Sequence, residues 1–398
     1  MKNLILILIL IAGISCTSKN KDKSTFKKIK GKTEVLNIQV NNLSNNKEIK
    51  LSEICDSIWY VRLESTKESM IGEMNKVIIN DKYIIVADFS ISKEVFIFDL
   101  NGKFITKISK LGKGPFEYSS IADVCYWPKT KSIFIFDRNS KKIIEYDITG
   151  KPVQEIPITF DAVNIALIDH DTFVLYAGFR ENDELKYNLI YVNNKGEIIK
   201  KAFPIDKKIL TKTSKNDQFY YFKNDLYFNQ DYDNNIYCIN KNSISYKYSL
   251  DFEKKNIPTE LIFNKESDEI DKEISQNKYV SSDLQFESEN YFFARLKSEN
   301  KDFFQYIYSK KEKKGIVFYN PINDLPNGFS YPFFIGNVGD DFYSVIDSEL
   351  LLMIKDDIKA SKKKFPQNNN LINMFLNYKE TDNPILCFCR INMSKDSK

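Results

Sequence analysis

Two aspartates, Asp88 and Asp137, end matching apolar runs 49 positions apart, and two arginines, Arg138 and Arg180, follow such runs at comparable stages of successive units. Carboxylates repeated at one end of a radial fold can ring a ligand, hold a divalent cation such as calcium, or work in pairs on a glycosidic bond. At a strand end the same side chain more simply accepts the N–H groups of the following turn, and the pattern favours this reading. An arginine fork grips a carboxylate or phosphate through two parallel hydrogen bonds. Asp88, Asp137, Arg138 and Arg180 are therefore the candidate ligand-binding residues. No catalytic residue, resident cofactor or metal ligand is nominated.

Several chemistries find no footing. His170 is the only histidine in the chain and lies in the turn-like IDHDT, so triads needing a second helper and multi-histidine metal sites are unavailable. No phosphate-cradling loop and no dinucleotide fingerprint follows a strand. The run Gly112-Lys113-Gly114-Pro115 has the glycines of an anion nest, but Pro115 lacks an N–H and no helix follows, so it reads as a connecting loop. Six cysteines are present. With Cys16 set apart, five remain, an odd number that does not make a disulfide framework. Cys125, Cys238, Cys387 and Cys389 sit in apolar runs and read as small core residues. Formal net charge is only +4, with both signs interspersed, which argues against a nucleic-acid partner.

The elements that would position these residues recur. A hairpin reads VFIFDLNGKFITKI, IIEYDITGKPVQEI, LIYVNNKGEIIKKA and YCINKNSISYKYSL, with turn pivots at Gly102, Gly150, Gly196 and Asn242. Asn is expected to replace Gly at the fourth pivot because it tolerates the left-handed region. A period of 46 to 48 residues, read between these pivots, is that of a propeller blade with four strands. The 23 Tyr and 30 Phe suit pleated, half-buried surfaces. Blades are expected near 74–110, 118–158, 160–204, 214–252, 284–320 and 328–360. The sixth includes the run LLLMIK, and a short helix is expected near 366–378. Residues 256–280 read as a short helical insertion after the fourth blade, opened by Pro258. The runs 57–65 and 384–392 are expected to pair and close the ring, which removes its open edges. Trp59 and Trp127 read as core or interblade residues, while Tyr118, Trp127 and Tyr331 are aromatics available to a sugar-binding face.

The N-terminus reads MKNLILILILIAGISC. A nine-residue apolar stretch after Lys2 suits a signal peptide and is too short to span a bilayer. Gly13-Ile14-Ser15-Cys16 resembles a bacterial lipobox, which implies a signal peptide over 1–15 and lipidation of Cys16. Residues 16–50 are polar and read as a flexible tether, with VLNIQV as a short strand within it. The propeller then occupies 51–398.

The runs LSEICDSIWYVRLES, IGEMNKVI, VFIFDLNGKFITKI and LGKGPFEY, with the closing ETDNPILCFCRI, are similar to the six-bladed β-propeller lipoproteins of Bacteroidetes, relatives of NHL-type propellers. The resemblance covers nearly all of 51–398. It is most specific at the GxGPxEY-like loop, where Phe116 stands in place of the usual Gly. It implies an all-β, six-bladed fold with four-stranded antiparallel blades, and lipid anchoring to the outer membrane. The basic segment 19–23 leaves the periplasmic and surface sides both open. The function expected is an envelope-anchored, monomeric module that binds a protein, peptide or glycan. The alternative is an enzyme acting on a glycan or lactone-like substrate through carboxylates or a divalent cation in the central funnel.

Overall fold

The computed structural model describes residues 25–26, 29–40, 49–180, 186–212, 218–297, 303–319, 321–322, 324–325, 333–351, 356, 358–359 and 369–394. Cys16 and Tyr331 lie outside the described residues. A strand β1 (Glu34–Asn37), a one-turn helix α1 (Leu51–Ile54) and a strand β2 (Cys55–Arg62) precede the repeating part. The first blade is β3 (Lys76–Ile79), β4 (Tyr83–Ala87), β5 (Val95–Asp99) and β6 (Phe104–Ile108). The second is β7 (Asp123–Trp127), β8 (Ser132–Asp137), β9 (Lys142–Asp147) and β10 (Pro152–Pro157). The third is β11 (Asn164–Asp169), β12 (Thr172–Tyr176), β13 (Tyr187–Asn193) and β14 (Ile198–Pro204). The fourth is β15 (Phe219–Phe222), β16 (Asp225–Asn229), β17 (Asn235–Ile239) and β18 (Ile244–Asp251). The fifth is β19 (Ser281–Glu287), β20 (Tyr291–Lys297), β21 (Phe303–Ser309) and β22 (Lys314–Phe318). The sixth joins β23 (Gly336–Val338), β24 (Asp341–Ile346) and β25 (Ile385–Ile391) to β2, in the order β2-β25-β24-β23. The protein is a six-bladed β-propeller with four-stranded antiparallel blades.

Residue patterns follow position within a blade. Middle strands are covered on both faces by neighbouring blades, so they read as continuous apolar runs such as SIFIFD, buried at every position. Outer strands have a wet side, and PVQEIP alternates accordingly. Blades meet through aromatic contacts: Phe134 of the second packs edge-on to Phe173 of the third, with ring centroids 5.3 Å apart.

The ring closes through its termini, as the paired runs predict. β2 is antiparallel to β25, with Ile58 opposite Cys389 and Tyr60 opposite Cys387. The rings of Trp59 and Phe388 stack across this seam at 5.4 Å. Between the fourth and fifth blades lie two 3-10 turns, Glu253–Lys255 and Thr259–Ile262, and helix α2 (Ser267–Asn277). Pro258 caps the second 3-10 turn rather than opening α2. Helix α3 (Asn369–Leu376) precedes β25.

Three expectations are corrected. Residues 16–50 do not all form a tether, because the described part of that stretch is bound to the propeller. β1 adds a parallel fifth strand to β18, with Leu36 opposite Leu250, and Leu36, Ile38 and Val40 are buried. Their apolar side chains fill the seam between the fourth and fifth blades. The run LLLMIK does not begin as a strand. Asp347 caps a helical turn at 348–351, its carboxylate taking the Leu350 N–H at 2.9 Å and its carbonyl the Leu351 N–H at 3.0 Å. Asn242 does not stand in for Gly. Gly102, Gly150 and Gly196 have φ of +81°, +82° and +81°, whereas Asn242 is not among the residues with positive φ. The fourth turn is shorter, with the Asn240 side chain taking the N–H groups of Asn242 and Ser243, both at 2.9 Å.

Candidate functional site

Every blade runs outward from its inner strand, so alternate connections gather at opposite ends of the ring. Short turns such as 80–82, 100–103 and 148–151 mark one end. The strands that flank the long connections, 109–122, 205–218, 252–280, 319–335 and 347–384, all meet them at the other. The inner strands start at the long-connection end and line the axis.

They enclose a cavity of about 430 Å³. Its wall includes Asn75, Lys76, Tyr126, Tyr221, Gln285 and Arg295, with aliphatic residues of β3, β7 and β11 between them. The polar groups are tied across blades. Lys76 Nζ lies 2.6 Å from Asp123 Oδ1, and Asp123 Oδ2 accepts the Ile165 N–H at 2.9 Å. One carboxylate thus joins the inner strands of the first three blades. Arg295 forms a fork with Asp283, at 2.7 and 3.2 Å. Gln285 Nε2 donates to Asn229 Oδ1 at 3.3 Å and to Ser282 Oγ at 2.7 Å. The Tyr221 hydroxyl accepts from Leu167 N and donates to Leu167 O, both at 2.8 Å. Tyr221 is 42% exposed as a residue and lines the cavity, while burial pushes its pKa well up. Burial likewise raises Tyr126, with Tyr83 and Asp81 adding to the shift.

This wall offers aromatic faces, amides and two cations already paired with carboxylates. Among the described residues no carboxylate lines the cavity, so it holds no acid pair of the kind glycoside hydrolysis uses. Among the described residues no group of three His, Cys, Asp or Glu is placed to hold a metal ion.

Of the four residues expected from sequence, Asp137 is the last residue of β8, and Asp88, Arg138 and Arg180 lie in the β4–β5, β8–β9 and β12–β13 connections, all at the long-connection end. Asp88 is fully buried, and its oxygens accept from the N–H groups of Gly72, Glu73, Ser90, Ile91 and Ser92 at 2.8–3.0 Å. Asp137 is also fully buried and takes Ser119 N at 2.7 Å, Ser120 Oγ at 2.7 Å, Asn139 N at 3.1 Å and Ser140 N at 3.2 Å. Burial works to raise both acids, but these hydrogen bonds outweigh it and hold them below the ordinary Asp value of 3.8. Each ties a strand end to the preceding interblade connection.

Arg138 and Arg180 are brought together by Asp161. Arg138 grips it at 2.5 and 2.8 Å, and Arg180 Nε approaches at 3.5 Å. Arg180 is buried, and burial followed by repulsion from Arg138 lowers its pKa. The Arg138 side chain stays 37% exposed, so of the four residues it keeps surface for a ligand.

The glycine loop binds its own anion. Glu117 Oε2 accepts the Gly114 N–H at 2.8 Å, and a Cβ at Gly112 would collide with the same carboxylate. Phe116 has φ +56°, which explains why Gly is usual there. Its N–H binds Glu155 at 2.8 Å and its carbonyl accepts the Tyr146 hydroxyl at 2.6 Å, holding the unusual conformation. Tyr118 is fully buried and its hydroxyl donates to Lys93 O at 2.8 Å, so it clamps blades rather than facing a ligand. His170 is part-exposed, with Nε2 3.5 Å from the buried Glu145.

Sequence reasoning missed Lys76, Asp123, Tyr221, Gln285 and Arg295. Lys76, Asp123 and Asn164 occupy the first position of three successive inner strands. That alignment of polar residues ahead of apolar runs was the available signal.

These features define a six-bladed propeller with a cavity on its axis. The chain belongs to the family described as Domain of unknown function (DUF4934), whose model matches residues 33–390. No curated protein matches it. Among solved structures it is similar to an inferred exported protein of Bacteroides fragilis, with TM-score 0.72 and 17% identity over 90% of this chain and 99% of that one. It is also similar to a member of the DUF4221 family from Bacteroides vulgatus, with TM-score 0.51 and 11% identity over 85% and 97%. At these identities the likeness concerns the fold.

Proposed function

We propose that this protein is an exported, lipid-anchored binding module of the cell envelope, acylated on Cys16, that takes a glycan or peptide end of an envelope partner into the axial cavity. The observation that carries the reading is the cavity wall. Tyr126 and Tyr221 line it with aromatic rings suited to stacking, and Asn75, Lys76 and Arg295 are polar residues of the same wall. A volume of about 430 Å³ suits a small ligand or the tip of a larger one. Arg138, outside the cavity wall at the long-connection end, keeps exposed surface for a ligand carboxylate. The signal-like N-terminus and the exported Bacteroides fragilis neighbour support the address.

The test is a thermal-shift screen of residues 24–398 against glycans, peptidoglycan fragments, peptides and divalent cations. A ligand of the native state raises the melting temperature by mass action. The expected result is a rise with a glycan or peptide that Tyr221→Ala abolishes. A rise that survives Tyr221→Ala and vanishes with Arg138→Ala would move the site out of the axis. A rise with calcium alone would overturn the reading.

A further inference from the structure

We propose that the lipid anchor acts through a short leash rather than a long tether, so that the outer edge of the third blade, at its short-turn end, lies against the bilayer and the long-connection end points away from it. The inference rests on acylation of Cys16.

The chain is bound to the propeller from Thr25 onward. Thr25 bridges Lys201 of β14, and Phe26 N donates to Lys201 O at 3.1 Å. The Phe26 ring packs on Tyr191 with centroids 5.3 Å apart, and Lys200 Nζ lies 4.8 Å above it. Further on, Lys30 N donates to Ile244 O at 2.9 Å, and Lys30 O accepts the Tyr246 N–H at 3.0 Å. β1 then pairs with β18, and Glu34 meets the Tyr308 hydroxyl of the fifth blade at 3.1 Å. Residues 25–26 and 29–40 are thus a belt fastened to three blades.

Two consequences follow. Nine residue steps separate Cys16 from Thr25. Even fully extended they reach about 30 Å, whereas the whole polar stretch to residue 50 would have reached about 120 Å. The Thr25–Lys201 bridge is parallel. The chain therefore arrives at Thr25 from the start of β14, the end that carries the Asn193–Glu197 turn. A leash that short, entering there, holds that edge at the membrane and leaves the long-connection end, with Arg138, open to the opposite side.

Fluorescence transfer from the full-length, acylated protein to a labelled lipid in reconstituted vesicles tests this. Cys55, Cys125, Cys387 and Cys389 are buried, so a Cys238→Ser background directs label to an introduced thiol. Lys195→Cys places it at the short-turn end of the third blade. Lys67→Cys places it in the exposed β2–β3 connection, at the long-connection end and on the opposite side of the ring. The expected result is strong transfer from Lys195→Cys and weak transfer from Lys67→Cys. Twenty Gly/Ser residues inserted between positions 24 and 25 are expected to erase the difference. Equal or reversed transfer in the uninserted protein overturns the orientation while leaving anchoring intact. Vesicle and membrane retention of a Cys16→Ser chain equal to that of the parent overturns the anchoring itself, and the orientation with it.

Discussion

At the scale of residues, the aspartates that best advertised a ligand ring serve the fold. The five backbone N–H groups on Asp88 are donors that a buried connection must satisfy. A carboxylate with that many donors is a stabiliser only while ionised. Its folded pKa lies below the ordinary 3.8, so the stability it adds is present above that value and drains away as pH falls through the folded pKa. Asp88→Asn and Asp137→Asn keep the shape but lose acceptor strength, and each turns one acceptor into a clashing donor. Each is expected to cost about 1–3 kcal/mol at pH 7. The deficit should shrink toward zero in acid, where the parent carboxylates are themselves protonated. Urea melts of parent and variant across the acid range check this, and a deficit that does not change with pH would mean that the charge is immaterial. The residue types at strand ends were legible in the sequence, and so was the favoured structural role. The Arg138–Asp161–Arg180 cluster was only half legible, because Asp161 sits 23 and 19 positions from its partners and carries no pattern of its own.

At the scale of elements, the hairpin glycines do more than turn the chain. Gly196 has φ +81°, and a Cβ placed on it would run into the carbonyl of Pro157 at the end of β10. Gly102 stands in the same relation to Arg62 at the end of β2. Each such turn rests on the outermost strand of the preceding blade, so the glycine sets blade-to-blade spacing as well as strand reversal. Gly196→Ala is expected to cost about 2 kcal/mol or more, combining the left-handed penalty with displacement of a neighbouring backbone. Asn242→Ala, in a turn held by the Asn240 side chain, is expected to cost well under 1 kcal/mol. Denaturant midpoints of the two variants decide it, and equal losses would show that the interblade approach does not matter. The repeat period and the turn residues make this architecture readable in the sequence. The belt was not readable, because its few apolar residues, Leu36, Ile38 and Val40, are diluted among Lys and Asn and find their partners on blades two hundred residues away. The cavity wall was hidden for a related reason: inner-strand residues that face the axis look like any other half-buried strand residue until six strands are assembled.

At the scale of the whole molecule, the two terminal segments contribute in different ways. β25 lies between β24 and β2, so removing it leaves two unpaired strand edges and uncovers Trp59 and Tyr343, which pack on Phe388. The belt lies outside the ring, and removing it uncovers one edge and the sockets of three aliphatic side chains. Burial of such side chains is worth about 1.5–3 kcal/mol each before the entropy of ordering the segment is deducted, so the belt adds a few kcal/mol at most. A chain beginning at residue 49 is therefore expected to keep native-like circular dichroism and a single, lower urea midpoint. A chain ending at residue 384 is expected to lose the cooperative transition and to bind a hydrophobic dye without denaturant, because an opened ring exposes strand edges and interblade apolar faces together. If both truncations lowered the midpoint equally and cooperatively, closure by β2 and β25 would be one stabilising contact among many rather than the condition for a single folded ring.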